Sequence, residues 1–153
     1  MFAIDTNILV YAHNADSKFN QSAYAFLEQV MNPTNLGGKF EVCIPTQVLM
    51  EFINVITWDK LPKPLMLSQA VAIAQDYVKS GVPIINQRET HLETFLQLLS
   101  GVNSRKKVFD VALAALLKDN AINGIYTVNT RDFKEFQFLT VINPLLESDF
   151  SNH

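Results

Sequence analysis

Five short apolar runs, separated by segments of helical periodicity, constrain the fold of this chain most strongly. The runs lie at residues 2–4, 41–44, 83–85, 125–128 and 139–142. They are rich in Val and Ile and do not strictly alternate apolar with polar residues, which is typical of strands covered on both faces. Helical periods occupy residues 6–13, 19–31, 46–58, 66–79, 90–100 and 108–120. This order predicts an α/β fold, with a parallel sheet between layers of helices.

The length of the chain suits one such fold. It has 153 residues, of which 48% are hydrophobic and 18% are charged, and this composition excludes a disordered or low-complexity chain. No repeat or long linker divides the sequence. We therefore expect one domain over residues 1–146, followed by a C-terminal tail at residues 147–153.

Cysteine, histidine and hydropathy patterns exclude several functional classes. The single cysteine, Cys43, excludes a disulfide framework and a cysteine-based metal cluster. The histidines have no zinc-like spacing: they are His13, His91 and His153. The longest apolar stretch, residues 108–117, contains Asp110 and is about half the ~20 residues that a membrane span needs. Since the N-terminus also lacks the basic segment of a signal peptide, we expect a cytoplasmic protein without membrane contact.

Three carboxylates stand at unusual positions in this pattern. Asp5 follows the first strand and opens a helix, where a helix N-cap is the alternative interpretation. Glu51 shares an apolar helix face with Val48 and Val55, where a carboxylate must be paired, protonated or bound to a metal unless it reaches solvent. Asp110 lies at the start of the most hydrophobic helix, where capping is again the alternative. In a doubly wound sheet these three positions can converge beyond the carboxyl ends of the strands.

Such a cluster of carboxylates predicts a divalent cation. Carboxylates gathered without basic partners repel one another, and an all-oxygen set favours one or two Mg²⁺ or Mn²⁺ ions over zinc. A fourth oxygen ligand is expected from the turn after the fourth strand, where the spacing does not choose between Asn129 and Asp132. Thr127 offers a hydroxyl at the end of that strand. The alternative interpretation of this segment is a turn that caps a helix beginning at Thr130.

Four segments of the chain together resemble a PIN domain, and in particular the VapC-type toxins of bacterial toxin–antitoxin pairs. They are IDTNILVY at residues 4–11, the isolated helical Glu51, Asp110 with an alanine-rich helix behind it, and GIYTVNTRDF at residues 124–133. The resemblance spans nearly the whole chain, and the first and last segments are the specific ones. Residues 60–100 match only as helices.

The resemblance implies a single PIN-like domain with five parallel strands in the order 3-2-1-4-5. It also implies an endoribonuclease that depends on Mg²⁺ or Mn²⁺ and hydrolyses RNA phosphodiester bonds. Asp5 and Asp110 fall on the positions that bind metal most firmly in such toxins, and Glu51 falls on the second acidic position. Asn129 and Asp132 occupy alternative alignments of the fourth position. Family toxins usually form homodimers and pair with a small antitoxin, so we expect both partners here.

The roles expected at the site follow from these assignments. The expected catalytic residues are Asp5, Glu51, Asp110 and Asp132, and the first three of these are the expected metal ligands. Four neighbouring polar residues are expected to hold waters or carboxylates in place: Thr6, Asn7, Thr127 and Asn129. Asn129 is also the alternative fourth ligand. The expected phosphate contacts are Arg105, Lys106, Lys107 and Arg131, for which a solvated basic turn is the alternative interpretation.

The charge balance permits a nucleic-acid substrate. The net charge of −3 argues weakly against such a partner, but the four candidate acids alone contribute −4. The competing functional hypothesis is a PIN fold that binds RNA or protein with weak or no catalysis. An asparagine at the fourth acidic position favours that alternative, whereas the presence of the other three acids favours the enzyme.

Overall fold

The structure, a computed structural model, describes residues 1–33 and 37–146. The predicted tail at residues 147–153, which includes His153, lies outside the described residues, so the boundary at residue 146 stays a prediction. Five parallel strands form one sheet in the order β3-β2-β1-β4-β5. They are β1 (Phe2–Ile4), β2 (Val42–Pro45), β3 (Ile84–Ile85), β4 (Gly124–Tyr126) and β5 (Thr140–Ile142). The predicted fold class and strand order are confirmed.

The middle of the sheet contains the point where the strand order reverses. Ala3 of β1 pairs with Cys43 of β2 on one side and with Ile125 of β4 on the other. Strands β2 and β3 lie in succession on one side of β1, and β4 and β5 lie in succession on its other side. In open parallel sheets, ligands bind beyond the carboxyl ends of the strands at such a switch point. Here that crevice lies between the ends of β1 and β4.

Six α-helices within residues 1–33 and 37–146 cover the sheet, as the periodicity predicts. They are α1 (Thr6–His13), α2 (Asn20–Val30), α3 (Thr46–Ile56), α4 (Leu67–Lys79), α5 (His91–Leu99) and α6 (Val108–Asp119). Two single 3₁₀ turns, Arg105–Lys107 and Thr130–Asp132, precede α6 and follow β4. The helix predicted to begin at Thr130 does begin there, but it is a single 3₁₀ turn. We attribute its early end to Phe133 and Phe136, which turn into the core and are 1% and 6% exposed.

The core is one apolar cluster between the helices and the sheet. Its largest fully buried side chains come from β1, α1, β2, α3, α6, β4 and the segment after the second 3₁₀ turn. Helix α6 is buried almost all round, as its sequence predicts. Gly124 is required in β4, because a β-carbon there would overlap the ring of Phe2. Among the described residues, no helix is long and apolar enough to cross a membrane.

Candidate metal centre

Asp5 lies at the carboxyl end of β1 and is 8% exposed. Its Oδ1 accepts a hydrogen bond of 2.8 Å from the backbone N–H of Thr6, so the residue does cap α1. Its Oδ2 accepts a hydrogen bond of 2.7 Å from the hydroxyl of Thr127, across the switch point. Burial raises the pKa of Asp5 to about 6, although both hydrogen bonds favour the charged form. The capping and site interpretations are therefore compatible for this residue.

Glu51 lies on α3 at the border between the buried and exposed faces of the helix. Val48 is fully buried, whereas Val55 is 36% exposed. The hydroxyl of Thr6 donates to Oε2 of Glu51 at 2.9 Å, and the side-chain amide of Gln47 donates to Oε1 at 3.0 Å. Both oxygens of this half-buried carboxylate are thus held by neutral donors.

Asp110 lies in the first turn of α6, near the other acids. Helix α6 begins two residues earlier, so Asp110 is not its N-cap. Burial raises the pKa of Asp110 to about 6, and the negative charges of Asp132, Asp5 and Glu51 contribute to this rise. Since electrostatic repulsion of this kind requires proximity, the structure brings all four predicted acids to one end of the sheet.

The turn after β4 contacts the acids through Thr127, which is fully buried. Besides donating to Asp5, the Thr127 hydroxyl accepts a hydrogen bond of 3.0 Å from the backbone N–H of Asn129, which is the predicted local turn. Asn7 on α1 accepts from the backbone N–H of Val128 at 3.3 Å, and its amide lies 3.5 Å from Oδ2 of Asp5. Of the polar residues expected to hold the carboxylates in place, Thr6, Asn7 and Thr127 lie beside Asp5 or Glu51. Asn129 contacts this group only through its backbone N–H.

The two candidates for the fourth position differ in their surroundings. Asn129 is exposed. Asp132 is half-buried in the 3₁₀ turn, and its charge raises the pKa of both Asp5 and Asp110. The structure thus places Asp132 close enough to Asp5 and Asp110 for its charge to act on both.

Gln47 is the site residue that the sequence analysis missed. Its amide joins Glu51 to the backbone carbonyl of Phe109, with both donor–acceptor distances 3.0 Å. The available signal was its spacing, because a residue four positions before Glu51 shares a face of the same helix. The contact with Phe109 crosses 62 positions of sequence and has no local signal.

Among the described residues, none of the predicted basic side chains forms an ion pair with the four acids, although the charge of Lys107 acts to lower the pKa of Asp110. Arg105, Lys106 and Arg131 are exposed, and Lys107 forms an ion pair of 2.9 Å with Glu135. That hydrogen bond raises the pKa of Lys107, and the charges of Asp132 and Asp110 act in the same direction. This is the only ion pair in the part of the chain that the structure describes.

The donor set fits Mg²⁺ or Mn²⁺ by its chemistry. All candidate ligands are carboxylate or amide oxygens, and two of the carboxylates have raised pKa values with no cation bonded to them. Within residues 1–33 and 37–146, no three Asp, Glu, His or Cys side chains stand close enough to form a ready-made metal site.

Comparisons with known proteins agree with this fold. The sequence profile of the PIN domain matches residues 2–139 of the chain. The chain belongs to the PIN domain family. Ribonuclease VapC24 of Mycobacterium tuberculosis is 27% identical over 153 residues, covering 95% of this chain and 97% of that protein. Ribonuclease VapC43 of the same species is 30% identical over 148 residues, with 95% and 96% covered.

A solved structure shares the fold of this PIN domain. A chain of a toxin–antitoxin complex from Klebsiella pneumoniae superposes with a TM-score of 0.62. That chain is 17% identical, and the match covers 94% of the present chain and 98% of the other. At this identity the likeness shows the fold, and the family resemblance inferred from the sequence is confirmed by the profile match.

Proposed function

We propose that this PIN-domain protein is an endoribonuclease that depends on Mg²⁺ or Mn²⁺ and acts as the toxin of a toxin–antitoxin pair. The observation that carries the proposal is the convergence of Asp5, Glu51, Asp110 and Asp132 at the switch point of the sheet. Relatives named VapC ribonucleases match along nearly the whole chain, which supports the choice of RNA as substrate.

The residues of the site would have different roles in phosphodiester hydrolysis. One or two divalent ions held there would supply the positive charge that activates water and polarises the phosphate. Asp5 and Asp110 would hold the ion, while Glu51 would bind it directly or through water and orient the attacking water. Thr127 and Thr6 fix the carboxylates of Asp5 and Glu51 by the hydrogen bonds described above.

We assign the fourth acidic position to Asp132, with Asn129 as the alternative ligand. The support is electrostatic, because the charge of Asp132 acts on two of the other acids while the Asn129 side chain is exposed. Since Asp132 lies in a 3₁₀ turn rather than in a helix, a small movement of this turn can bring its carboxylate toward an ion.

The exposed cations beside the site are proposed to bind RNA phosphates. Arg105 and Lys106 lie in the turn that leads into α6, and Arg131 precedes Asp132. Lys107 would bind a phosphate only if its ion pair with Glu135 opened. Phosphate and the Glu135 carboxylate are both anionic acceptors for the Lys107 ammonium group, so one can replace the other.

The proposal includes a small antitoxin protein, a homodimer and a cytoplasmic location. The toxin–antitoxin complex from Klebsiella pneumoniae, which contains a chain of the same fold, supports the antitoxin.

Large exposed apolar side chains beside the acids, such as Met50 and Phe109 at 63% and 72% exposure, provide surface that a second copy could cover. Light scattering of the purified protein should therefore give about twice 17.3 kDa, whereas a monomer mass would contradict the dimer.

An RNA-cleavage assay tests the proposed activity. Purified protein should cleave RNA with Mn²⁺ or Mg²⁺ and stop when EDTA is added. Asp110→Asn should lose cleavage by at least about 100-fold while remaining folded, because it removes a ligand of the ion whose charge would stabilise the transition state. Asp76→Asn, at an exposed aspartate of α4, is the matched control and should cleave normally. Cleavage by Asp110→Asn at the wild-type rate would contradict the mechanism, and metal binding without any cleavage would favour a binding module.

A further inference from the structure

The Gln47 side chain connects Glu51 on α3 with the first turn of α6, which carries Asp110. It lies on α3, one turn before Glu51, and is half-buried. Its side-chain Nε2 donates to Oε1 of Glu51 at 3.0 Å and to the backbone carbonyl of Phe109 at 3.0 Å. An amide nitrogen has two hydrogens, so both bonds can form at once.

The first of these bonds restrains the Glu51 carboxylate. Thr6 on α1 holds Oε2 at 2.9 Å, so Gln47 completes the restraint by holding Oε1. A glutamate with only one oxygen held can still swing about its side-chain torsions, and Glu51 has solvent on one side. The Gln47 amide therefore limits the rotation of the carboxylate that Thr6 also holds.

The second bond restrains the first turn of α6. Phe109 immediately precedes Asp110, and its side chain is 72% exposed, so packing of that ring holds this turn only weakly. The bond from Gln47 to the Phe109 carbonyl ties the turn to α3. One side chain thus fixes the position of Glu51 and the position of the turn that carries Asp110.

We propose that Gln47 is a positioning residue that sets the separation of Glu51 and Asp110 and thereby the affinity of the site for a divalent ion. The inference rests on the proposed metal-dependent function. Gln47 need not touch the ion, since it acts through Glu51 and through the backbone of α6. Residues that orient metal ligands by hydrogen bonds commonly change metal affinity by about 10-fold to 100-fold when removed.

Titration calorimetry with Mn²⁺ alone tests this role without reference to cleavage. Gln47→Met keeps the length of the side chain and removes the donor, and we expect it to weaken Mn²⁺ binding by about 10-fold. Gln29→Met makes the same chemical change at an exposed position of α2 and should bind like wild type. Gln47→Asn keeps the amide but shortens its reach, so it should weaken binding in the same direction and replaces Gln47→Met if that variant unfolds.

A double variant decides whether Gln47 acts through its two partners. Gln47→Met should weaken Mn²⁺ binding clearly less in the Glu51→Gln background than in wild type. In that background the side chain at position 51 is no longer a carboxylate ligand, so the bond from Gln47 to it has no ligand to position. Wild-type affinity in both Gln47 variants, or full additivity in the double variant, would overturn the inference. An absence of Mn²⁺ binding in wild type would overturn the metal site itself. Normal Mn²⁺ binding without RNA cleavage would contradict the proposed ribonuclease. The Mn²⁺ affinities of the Gln47 variants would still decide the role of Gln47 in that case.

Discussion

Asp5 shows how one side chain can serve both the fold and the site. One carboxylate oxygen caps α1, and the other accepts a hydrogen bond from Thr127 on the neighbouring strand end. These bonds fix its orientation but do not fully offset the cost of burying a negative charge, so its pKa stands at about 6. At neutral pH the charged form is therefore destabilising in the metal-free protein.

The pH dependence of stability tests this role of the Asp5 charge. In the unfolded chain its pKa is close to 3.8, and in the folded protein it is about 6. The neutral form thus contributes stability fully below pH 3.8, and this contribution is lost as the pH rises through 6. Asp5→Asn keeps a capping side chain without the charge. In EDTA at pH 7, we expect its free energy of unfolding to exceed that of wild type by about 2 kcal/mol.

Chemical denaturation at several pH values measures this difference. The advantage of Asp5→Asn should shrink as the pH falls from 7 to 4, and added Mn²⁺ should stabilise wild type more than the variant. A variant that is less stable than wild type at pH 7 in EDTA would show that the hydrogen bonds to Asp5 outweigh the cost of its burial.

At the scale of elements, the turn before α6 brings cations next to the acids. Arg105–Lys107 forms a 3₁₀ turn whose last residue pairs with Glu135. The other two side chains are exposed and lie directly before the helix that carries Asp110. This arrangement suits an RNA backbone whose scissile phosphate lies at the acids while the adjoining phosphates contact the turn.

The salt dependence of RNA binding tests the role of this turn. We expect Arg105→Gln with Lys106→Gln to reduce the slope of log affinity against log salt by about 0.7 for each phosphate that is no longer neutralised. The measurement uses an RNA oligonucleotide and the Asp110→Asn background, which prevents cleavage. Lys60→Gln with Lys63→Gln, beyond the C-terminal end of α3, is the matched control. An equal slope in both double variants would show that the turn is only a solvated basic segment.

Most elements were predictable because their signals are local. Apolar periodicity placed all five strands and six helices, and α6 was predicted to be buried from its sequence alone. Element ends were less predictable: α3 stops at Ile56, where the hydroxyl of Thr57 donates to the carbonyl of Ile53. The strand order was predicted from the family resemblance, because the apolar runs do not show which strands pair with one another.

The candidate site was predictable in part for the same reason. Asp5, Glu51 and Asp110 stand out because each interrupts an apolar pattern. Gln47 and Glu135 gave no comparable signal, because their contacts with Phe109 and Lys107 join segments 62 and 28 positions apart. Cross-element contacts of this kind appear only once the helices are packed.

At the scale of the whole molecule, the topology explains why four distant acids can act together. The reversal of strand order next to β1 opens a crevice between the ends of β1 and β4, and α3 and α6 start from the same edge. The net charge of −3 is then largely the site itself, since its four acids contribute −4. A divalent ion bound at the proposed site would reduce the repulsion among these carboxylates.

A crystal structure of the wild-type protein soaked in Mn²⁺ is the decisive experiment for the metal centre. Anomalous scattering locates manganese independently of any assumption about its ligands. We expect a peak at the switch point, bound by carboxylate oxygens of Asp5 and Asp110, with Glu51 and Asp132 within reach directly or through water. Ligation by Asn129 in place of Asp132 would reassign the fourth position only. A protein with no manganese between Asp5 and Asp110 at saturating Mn²⁺ would contradict the metal centre, and with it the proposed mechanism of hydrolysis.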